Sequence, residues 1–240
     1  MTYLLIDQGN SRLKYCLADE QSINEIQSGT FNDLSGYIST NLNIGISISK
    51  ALICSVRGVV AQSELMKILN QFDIPNQFAE TRQQQHGLIN SYADVSSMGV
   101  DRWCAMLGIR AHCQSGFVLI DAGTAITFDY VNADGEHRGG HILAGINTMV
   151  RSLVDKTDRI RIEGESITQT IELAQSTEAA VTQGAMAMVI GYIESMLKEL
   201  PKDSKIFLTG GDAEAIEGLI SADCNLIENP VFDGLRVYFQ

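Results

Sequence analysis

An aspartate, a glycine and a lysine near the start of the chain stand in an order suited to holding phosphate. They lie in Tyr3-Leu4-Leu5-Ile6-Asp7-Gln8-Gly9-Asn10-Ser11-Arg12-Leu13-Lys14. An apolar run ends on the Asp7 carboxylate, a glycine turn follows, and polar/apolar alternation resumes through Leu13, Tyr15 and Leu17. The stretch therefore reads as strand, turn, strand. Gly9 lets the backbone approach a phosphate with no side chain in the way. Lys14 is a compact cation able to reach a terminal phosphate, and Asp7 offers the hard oxygen that magnesium takes. A plain hairpin with polar turn residues would carry the same letters, so this segment alone leaves both readings open.

A second copy changes the balance. Leu119-Ile120-Asp121-Ala122-Gly123-Thr124-Ala125 repeats the grammar Leu-Ile-Asp-x-Gly followed by Asn or Thr and an alternating strand. Asp7 and Asp121 are 114 positions apart (121 − 7), close to half of the 240 residues. A repeat at half the chain length predicts two similar lobes, each opening with strand, turn, strand. In this the sequence resembles the superfamily of acetate and sugar kinases, heat-shock proteins and actin, in which two such turns clasp ATP. The resemblance implies an α/β fold of two ribonuclease H-like (actin-like ATPase) lobes, with mixed sheets flanked by helices. The lobes are expected at 1–115, with the first phosphate motif and a substrate motif, and at 116–240, with the second phosphate motif and the adenosine end.

A third group of reactive residues is Asp101 beside Arg102. Phosphoryl transfer needs cations for the transferred oxygens and a base for the acceptor's hydroxyl proton. A base next to a fixed guanidinium suits an acceptor that is itself an anion, such as a carboxylate-bearing alcohol, with the carboxylate gripped bidentately. The plainer role for Asp101 is an N-terminal cap on a helix over residues 103–112.

The elements that must position these groups follow from the pattern. Residues 19–43 read as polar and irregular, with a third strand at Thr30-Phe31. Residues 51–56 form an apolar run of strand length and 59–72 a helical period, which implies a parallel crossover. Ser55 and Arg57 fall at the carboxyl end of that strand, where open α/β sheets hold ligands. Gln83-Gln84-Gln85-His86 reads as loop. A second meander is expected over 117–143, with Gly139-Gly140 marking a bulge or a close approach. Ala144-Gly145-Ile146-Asn147 turns into a helix through Val154, and residues 156–169 are charged, irregular and expected to be the most mobile. Ser176-Thr177-Glu178 opens a long helix that Pro201 stops; its methionines suit core or subunit-interface filling. The strand at 205–209 meets Gly210-Gly211-Asp212 and another helix, a seat for a nucleotide's sugar–phosphate.

Composition limits the alternatives. With 45% apolar and 19% charged residues the chain can bury a core. Its 17 basic and 29 acidic residues give −12, which disfavours nucleic acid and anionic membranes as partners. Five scattered cysteines with no Cys-x-x-Cys read as reduced, and no run approaches the roughly 20 apolar residues of a membrane span, so a cytoplasmic location is expected. A P-loop and a Gly-x-Ser-x-Gly elbow are absent. His137 and His141 have a ligand spacing only if helical, and their segment reads as strand, which argues against zinc. His86 and His112 lack evident partners in the sequence.

The motifs together resemble one family, the type III pantothenate kinases. Asp7-x-Gly9-Asn10-Ser11-x-x-Lys14 looks like its first phosphate motif, and Gly99-Val100-Asp101-Arg102, with Tyr92 upstream, its substrate motif. Asp121-Ala122-Gly123-Thr124-Ala125 resembles its second phosphate motif, and Gly139-Gly140-His141-Ile142 its glycine pair. Thr177-Glu178-Ala179 with Gly184 and Thr209-Gly210-Gly211-Asp212 follow in family order. The resemblance implies Mg-ATP as donor and pantothenate as acceptor, the first step of coenzyme A biosynthesis. Asp101 would be the base, and Tyr92, Gly99, Val100, Arg102 and Thr177 would contact pantothenate. Asp7, Gln8, Gly9, Asn10, Ser11, Arg12, Leu13, Lys14 and Thr124 would contact ATP. Asp121 would bind a monovalent cation, potassium or ammonium, and Asp7 would face magnesium, directly or through water. A homodimer is implied as well. One departure is Ala144-Gly145, where the family's turn has proline before the glycine. The alternative readings are a non-catalytic nucleotide-binding accessory or regulatory protein on the same fold, and a kinase of another small hydroxy acid.

Overall fold

The computed structural model describes residues 1–162 and 168–239. Two compact units are present: Met1–Cys113 with Asn229–Gln240, and Gln114–Glu228. A boundary at 115/116 assigns residues 229–240 to the second lobe; in the structure they pack with the first. The expected mobile stretch falls partly on residues 163–167, which lie outside the described residues.

The first unit opens with β1 (Tyr3–Gln8), β2 (Leu13–Ala18) and β3 (Gln27–Gly29), then α1 (Phe31–Asn43), β4 (Lys50–Ser55), α2 (Val59–Gln71) and β5 (Asn76–Phe78). Its sheet runs β3-β2-β1-β4-β5. The β1–β2 and β2–β3 pairs are antiparallel, while β1–β4 and β4–β5 are parallel. Strands β1 and β4 carry continuous apolar runs, residues 4–6 and 51–54, because both their faces are covered there. On one face Leu4, Ile6, Leu13 and Ile53 pack with Leu34 and Ile38 of α1 and Leu65 and Leu69 of α2. A small hairpin, β6 (Gln84–Gln85) and β7 (Leu88–Ile89), interrupts the stretch read as loop and precedes α3 (Val100–His112).

Two local expectations are corrected in this unit. The third strand ends at Gly29, and Thr30 caps α1 instead of continuing it. The Thr30 Oγ1 accepts from the Asp33 amide at 3.3 Å, and the Asp33 carboxylate accepts from the Thr30 amide at 2.7 Å. This reciprocal box starts a helix inside a segment read as irregular. Only Leu34 and Ile38 of α1 are buried, too few to print a clear period. The second correction is at α3, whose N-cap is Gly99, so Asp101 lies in the first turn and not at the cap.

The second unit repeats the plan with β8 (Phe117–Ala122), β9 (Ala125–Val131), β10 (His137–Ala144), α4 (Ile146–Lys156), α5 (Thr177–Lys198), β11 (Lys205–Thr209), α6 (Ala213–Glu217) and β12 (Asn225–Leu226). Its sheet order, β10-β9-β8-β11-β12, matches the first strand for strand, with the same parallel and antiparallel pairings. The register of β10 on β9 shifts between His137 and Gly140, the bulge that the glycine pair forecast, and Gly139 has φ +112°. Among the described residues one helix, α5, is long and apolar enough to cross a membrane by length and composition alone. One side of it, including Met186, Val189, Ile190 and Ile193, packs into this unit's core.

The chain then returns to the first unit as α7 (Pro230–Tyr238), which lies against α3. A Cβ on Gly234 would overlap the Cys104 carbonyl, and one on Gly108 would overlap the Pro230 carbonyl. The two helices therefore touch backbone to backbone, which only glycine allows at these positions. This contact sets how closely α7 approaches α3, the helix that carries Asp101 and Arg102.

Candidate active site

In the first unit the turn after β1 is closed by a hydrogen bond from the Gly9 amide to the Arg12 carbonyl at 3.1 Å. Asp7 and Lys14 are directly opposite in the β1–β2 register, and Asp7 lies beside Cys54 in the parallel β1–β4 register. Register partners share a face, so these three side chains stand together. The Lys14 ammonium donates to Asn229 Oδ1 at 2.6 Å. The alternation of strand side chains sends Gln8 to the opposite face, where it is buried. There its Nε2 donates to the Ala61 carbonyl at 3.1 Å and its Oε1 accepts from the Ser55 hydroxyl at 2.7 Å. The Arg57 guanidinium donates to the Asn10 carbonyl at 2.8 Å. Ser55 and Arg57, singled out for their place at a strand end, thus brace the turn from behind. A cavity of about 220 Å³ beside it is lined by Gln8, Gly9, Ser11, Arg12, Leu13 and Arg57, among others.

Helix α3 brings Asp101 to the same face as Asp7. The Cys54 thiol is hydrogen-bonded to Cys104, one helical turn beyond Asp101. That hydrogen bond, burial and the charges of Cys104, Asp7 and Asp101 hold its pKa well above the usual thiol range. A protonated, fully buried thiol therefore sits within the fields of both carboxylates. Asp101 is half-buried, and its Oδ1 accepts from the Arg102 amide at 2.7 Å. A Cβ at Gly99 would come within 2.6 Å of that Oδ1, so the glycine makes room for the carboxylate. Arg102 is buried, its Nη1 donates to the Tyr92 hydroxyl at 3.0 Å, and its guanidinium lies 5.8 Å from the centre of the Tyr92 ring. Tyr92 is held in turn by its amide, which donates to Asn90 Oδ1 at 2.9 Å. Val100 is the first residue of α3.

In the second unit Asp121 is half-buried at the end of β8, opposite Thr127 of β9 and beside Thr209 of β11. The Gly123 amide donates to the Ala125 carbonyl at 3.0 Å, giving a tighter turn than the first. Thr124 is exposed, and its carbonyl accepts from the Gly145 amide at 3.0 Å and from the Thr148 hydroxyl at 2.7 Å. A Cβ on Gly145 would overlap the Gly123 carbonyl, and one on Gly210, where φ is +98°, would overlap the Ala122 carbonyl. Two glycine backbones thus press directly on this turn. Thr177 is exposed at the start of α5, just after Ser176, whose hydroxyl caps the helix by accepting from the Ala179 amide at 3.2 Å. His137 and His141 take separate partners. His137 pairs with Asp129 at 2.8 Å, both buried, and His141 with the Tyr192 hydroxyl at 2.8 Å.

Within the first unit, then, the structure brings together Asp7, Lys14 and Asp101, which the sequence holds apart; Arg102 and Tyr92 join them through α3. Asp121, Thr124 and Thr177 belong to the second unit. The family profile for type III pantothenate kinase matches residues 3–199. A type III pantothenate kinase of Marinobacter nauticus is 38% identical over 247 residues, covering 97% of this chain and 96% of the relative. This chain belongs to the type III pantothenate kinase family. Another member, from Ectopseudomonas mendocina, is 31% identical and covers 98% of this chain and 97% of its own. Among solved structures, a Baf family protein of Campylobacter jejuni, named as a transcriptional activator, superposes with a TM-score of 0.61 at 21% identity, over 97% of this chain and 95% of that one. The activator of 2-hydroxyisocaproyl-CoA dehydratase from Clostridium difficile, with bound ADPNP, superposes with a TM-score of 0.55 at 12% identity, over 99% and 93% of the two chains. At these identities the structural likenesses speak to the fold, which is that of the actin-like ATPases and sugar kinases.

Asn229 was not legible as a site residue. It is 215 positions from Lys14, and no local pattern links the two.

Proposed function

We propose that the protein transfers the γ-phosphoryl group of ATP to the primary hydroxyl of pantothenate, giving 4'-phosphopantothenate at the head of coenzyme A synthesis. The observation that carries this reading is the convergence of Asp7, Lys14 and Asp101 on one face of the first unit's sheet, in a chain of this family. Asp101 accepts the hydroxyl proton as the acceptor oxygen bonds to the γ-phosphorus, and the bond from that phosphorus to the bridging oxygen breaks to release ADP. Arg102 is suited to hold the pantothenate carboxylate: it is fixed by Tyr92, and its planar fork matches a carboxylate. Gly99, Val100 and Thr177 complete the acceptor contacts. The backbone from Gln8 to Leu13, the Lys14 ammonium and Thr124 meet the ATP phosphates.

The donor sets fit the cations this chemistry uses. Asp7 supplies a hard oxygen for magnesium, and magnesium when bound neutralises charge on the phosphate oxygens. Asp121 is flanked in its register by Thr127 and Thr209, so that a carboxylate and two hydroxyl-bearing residues offer oxygen donors suited to potassium or ammonium. The five free thiols suit the reducing cytoplasm where ATP is abundant. A homodimer is supported by an exposed face of small and apolar residues on α5, Gly184, Ala187, Met188 and Gly191, with Ile142 of β10 also exposed.

The test is a turnover assay on the purified protein with Mg-ATP, potassium and pantothenate, reading ADP release and the mass of the product. Pantothenate-dependent ADP release with a phosphopantothenate product is expected, and folded protein that releases none would overturn the reading. Sedimentation of the wild type and Met188→Glu tests the dimer: the variant should shift toward monomer.

A further inference from the structure

Lys14 reaches its place with outside help. Its ammonium is held by Asn229, the first residue at which the chain re-enters the first unit. Asn229 has φ 47° and ψ 55°, the left-handed region, at the N-cap of α7. Asparagine enters that region more easily than other residues with a Cβ. Its side chain makes no capping bond to its own helix. The amide oxygen is turned instead to Lys14, and the contact is short, as expected for a hydrogen bond from a charged donor.

The choice of an amide has a chemical consequence. Aspartate would tolerate the same backbone and offer an oxygen of the same reach, but its charge would neutralise the ammonium. An amide oxygen fixes the flexible lysine stem and leaves the positive charge available. We propose that Asn229 is a positioning residue for nucleotide binding: it orients Lys14 toward the terminal phosphates of ATP without cancelling its charge. The proposal rests on the phosphate role given to Lys14 above.

Three variants test it. Asn229→Asp keeps the backbone and the acceptor but adds a negative charge; Asn229→Gly keeps the backbone and removes the acceptor; Lys14→Ala removes the cation. Each is assayed for KM toward ATP and toward pantothenate, for binding of a non-hydrolysable ATP analogue, and for melting temperature. For Asn229→Asp the expected result is a rise in KM for ATP of roughly tenfold or more, from the opposing charge beside the phosphates. Asn229→Gly should give a smaller rise, about threefold to tenfold, from the loss of one charge-assisted bond. KM for pantothenate stays within about twofold in both, a split that general loosening of the fold would not produce. If Lys14→Ala raises KM for ATP while both Asn229 variants keep the wild-type value, the positioning role is overturned. If Lys14→Ala itself leaves KM for ATP unchanged while pantothenate is still phosphorylated, the phosphate role of Lys14 falls, and the inference with it. If pantothenate is not phosphorylated even by the wild type, analogue binding still decides the Asn229 claim: weaker binding in Asn229→Asp supports it, and unchanged binding overturns it.

Discussion

The two strand–turn–strand copies share a topology and differ in what stands opposite the aspartate. In the first unit Asp7 faces Lys14 and lies beside Cys54; in the second Asp121 faces Thr127 and lies beside Thr209. One copy thus places a lysine opposite its carboxylate, while the other flanks it with two hydroxyl-bearing threonines. The supports differ as well. Side chains from Ser55, Arg57 and Asn229 brace the first turn and its lysine, whereas the glycine backbones of Gly145 and Gly210 press on the second. A duplicated plan thus differs at the register positions next to a fixed aspartate, and the separate roles proposed for the two turns, phosphate binding and cation binding, rest on that difference.

The largest expected effect tests what only the first unit carries, the Asp101 carboxylate on α3 proposed as the base. Asp101→Asn should lower kcat by on the order of 10² to 10⁴, the usual worth of a general base, with binding of an ATP analogue unchanged. A variant as active as the wild type would remove Asp101 from its role. The contrast in support is tested by two glycine substitutions followed by urea denaturation. Gly210→Ala meets the Ala122 backbone at a left-handed φ and should destabilise by about 3 kcal/mol. Gly9→Ala meets only the Arg12 carbonyl, at 3.3 Å, and should destabilise by less than about 1 kcal/mol. Equal losses would mean that the two turns are built alike after all.

The charge contrast can be exchanged. Thr127→Lys copies the first unit's pairing into the second and should remove stimulation by potassium, since a tethered ammonium then stands beside Asp121. Undiminished stimulation in that variant would dissociate Asp121 from the cation. The smallest effect concerns the acid limb of stability. Hydrogen bonds from the Thr30 amide and hydroxyl lower the pKa of Asp33, and those from the Ser221 hydroxyl and amide lower that of Glu194. A carboxyl lowered on folding stabilises above its unfolded pKa and loses that contribution as pH falls through the folded value. Asp33→Asn and Glu194→Gln should therefore narrow the gap in urea midpoint between pH 7 and the acid range, one in each unit. An unchanged gap in either variant would remove that carboxylate from the acid sensitivity.

Much of this was legible in the order of residues. The Asp-x-Gly turns, the half-chain repeat and the apolar runs of β1, β4 and β8 are local signals, set by the reach of a few bonds and the alternation of a strand. The capping box of α1 is also local, yet its segment reads as irregular because the helix buries so little on its inner side. Asp101 has the residue type of a cap, but Gly99 takes the cap position with its backbone alone and leaves Asp101 in the first turn.

The sequence by itself determined two copies of one turn and the family the chain belongs to. Tertiary structure alone decided that α7 rejoins the first unit, that Asn229 holds Lys14, and that Asp7 and Asp101 share the neighbourhood of one buried thiol. The reason is distance along the chain. Spacing reports what a helix turn or a strand pleat brings together, whereas residues 215 positions apart meet only because packed helices such as α3 and α7 carry them there.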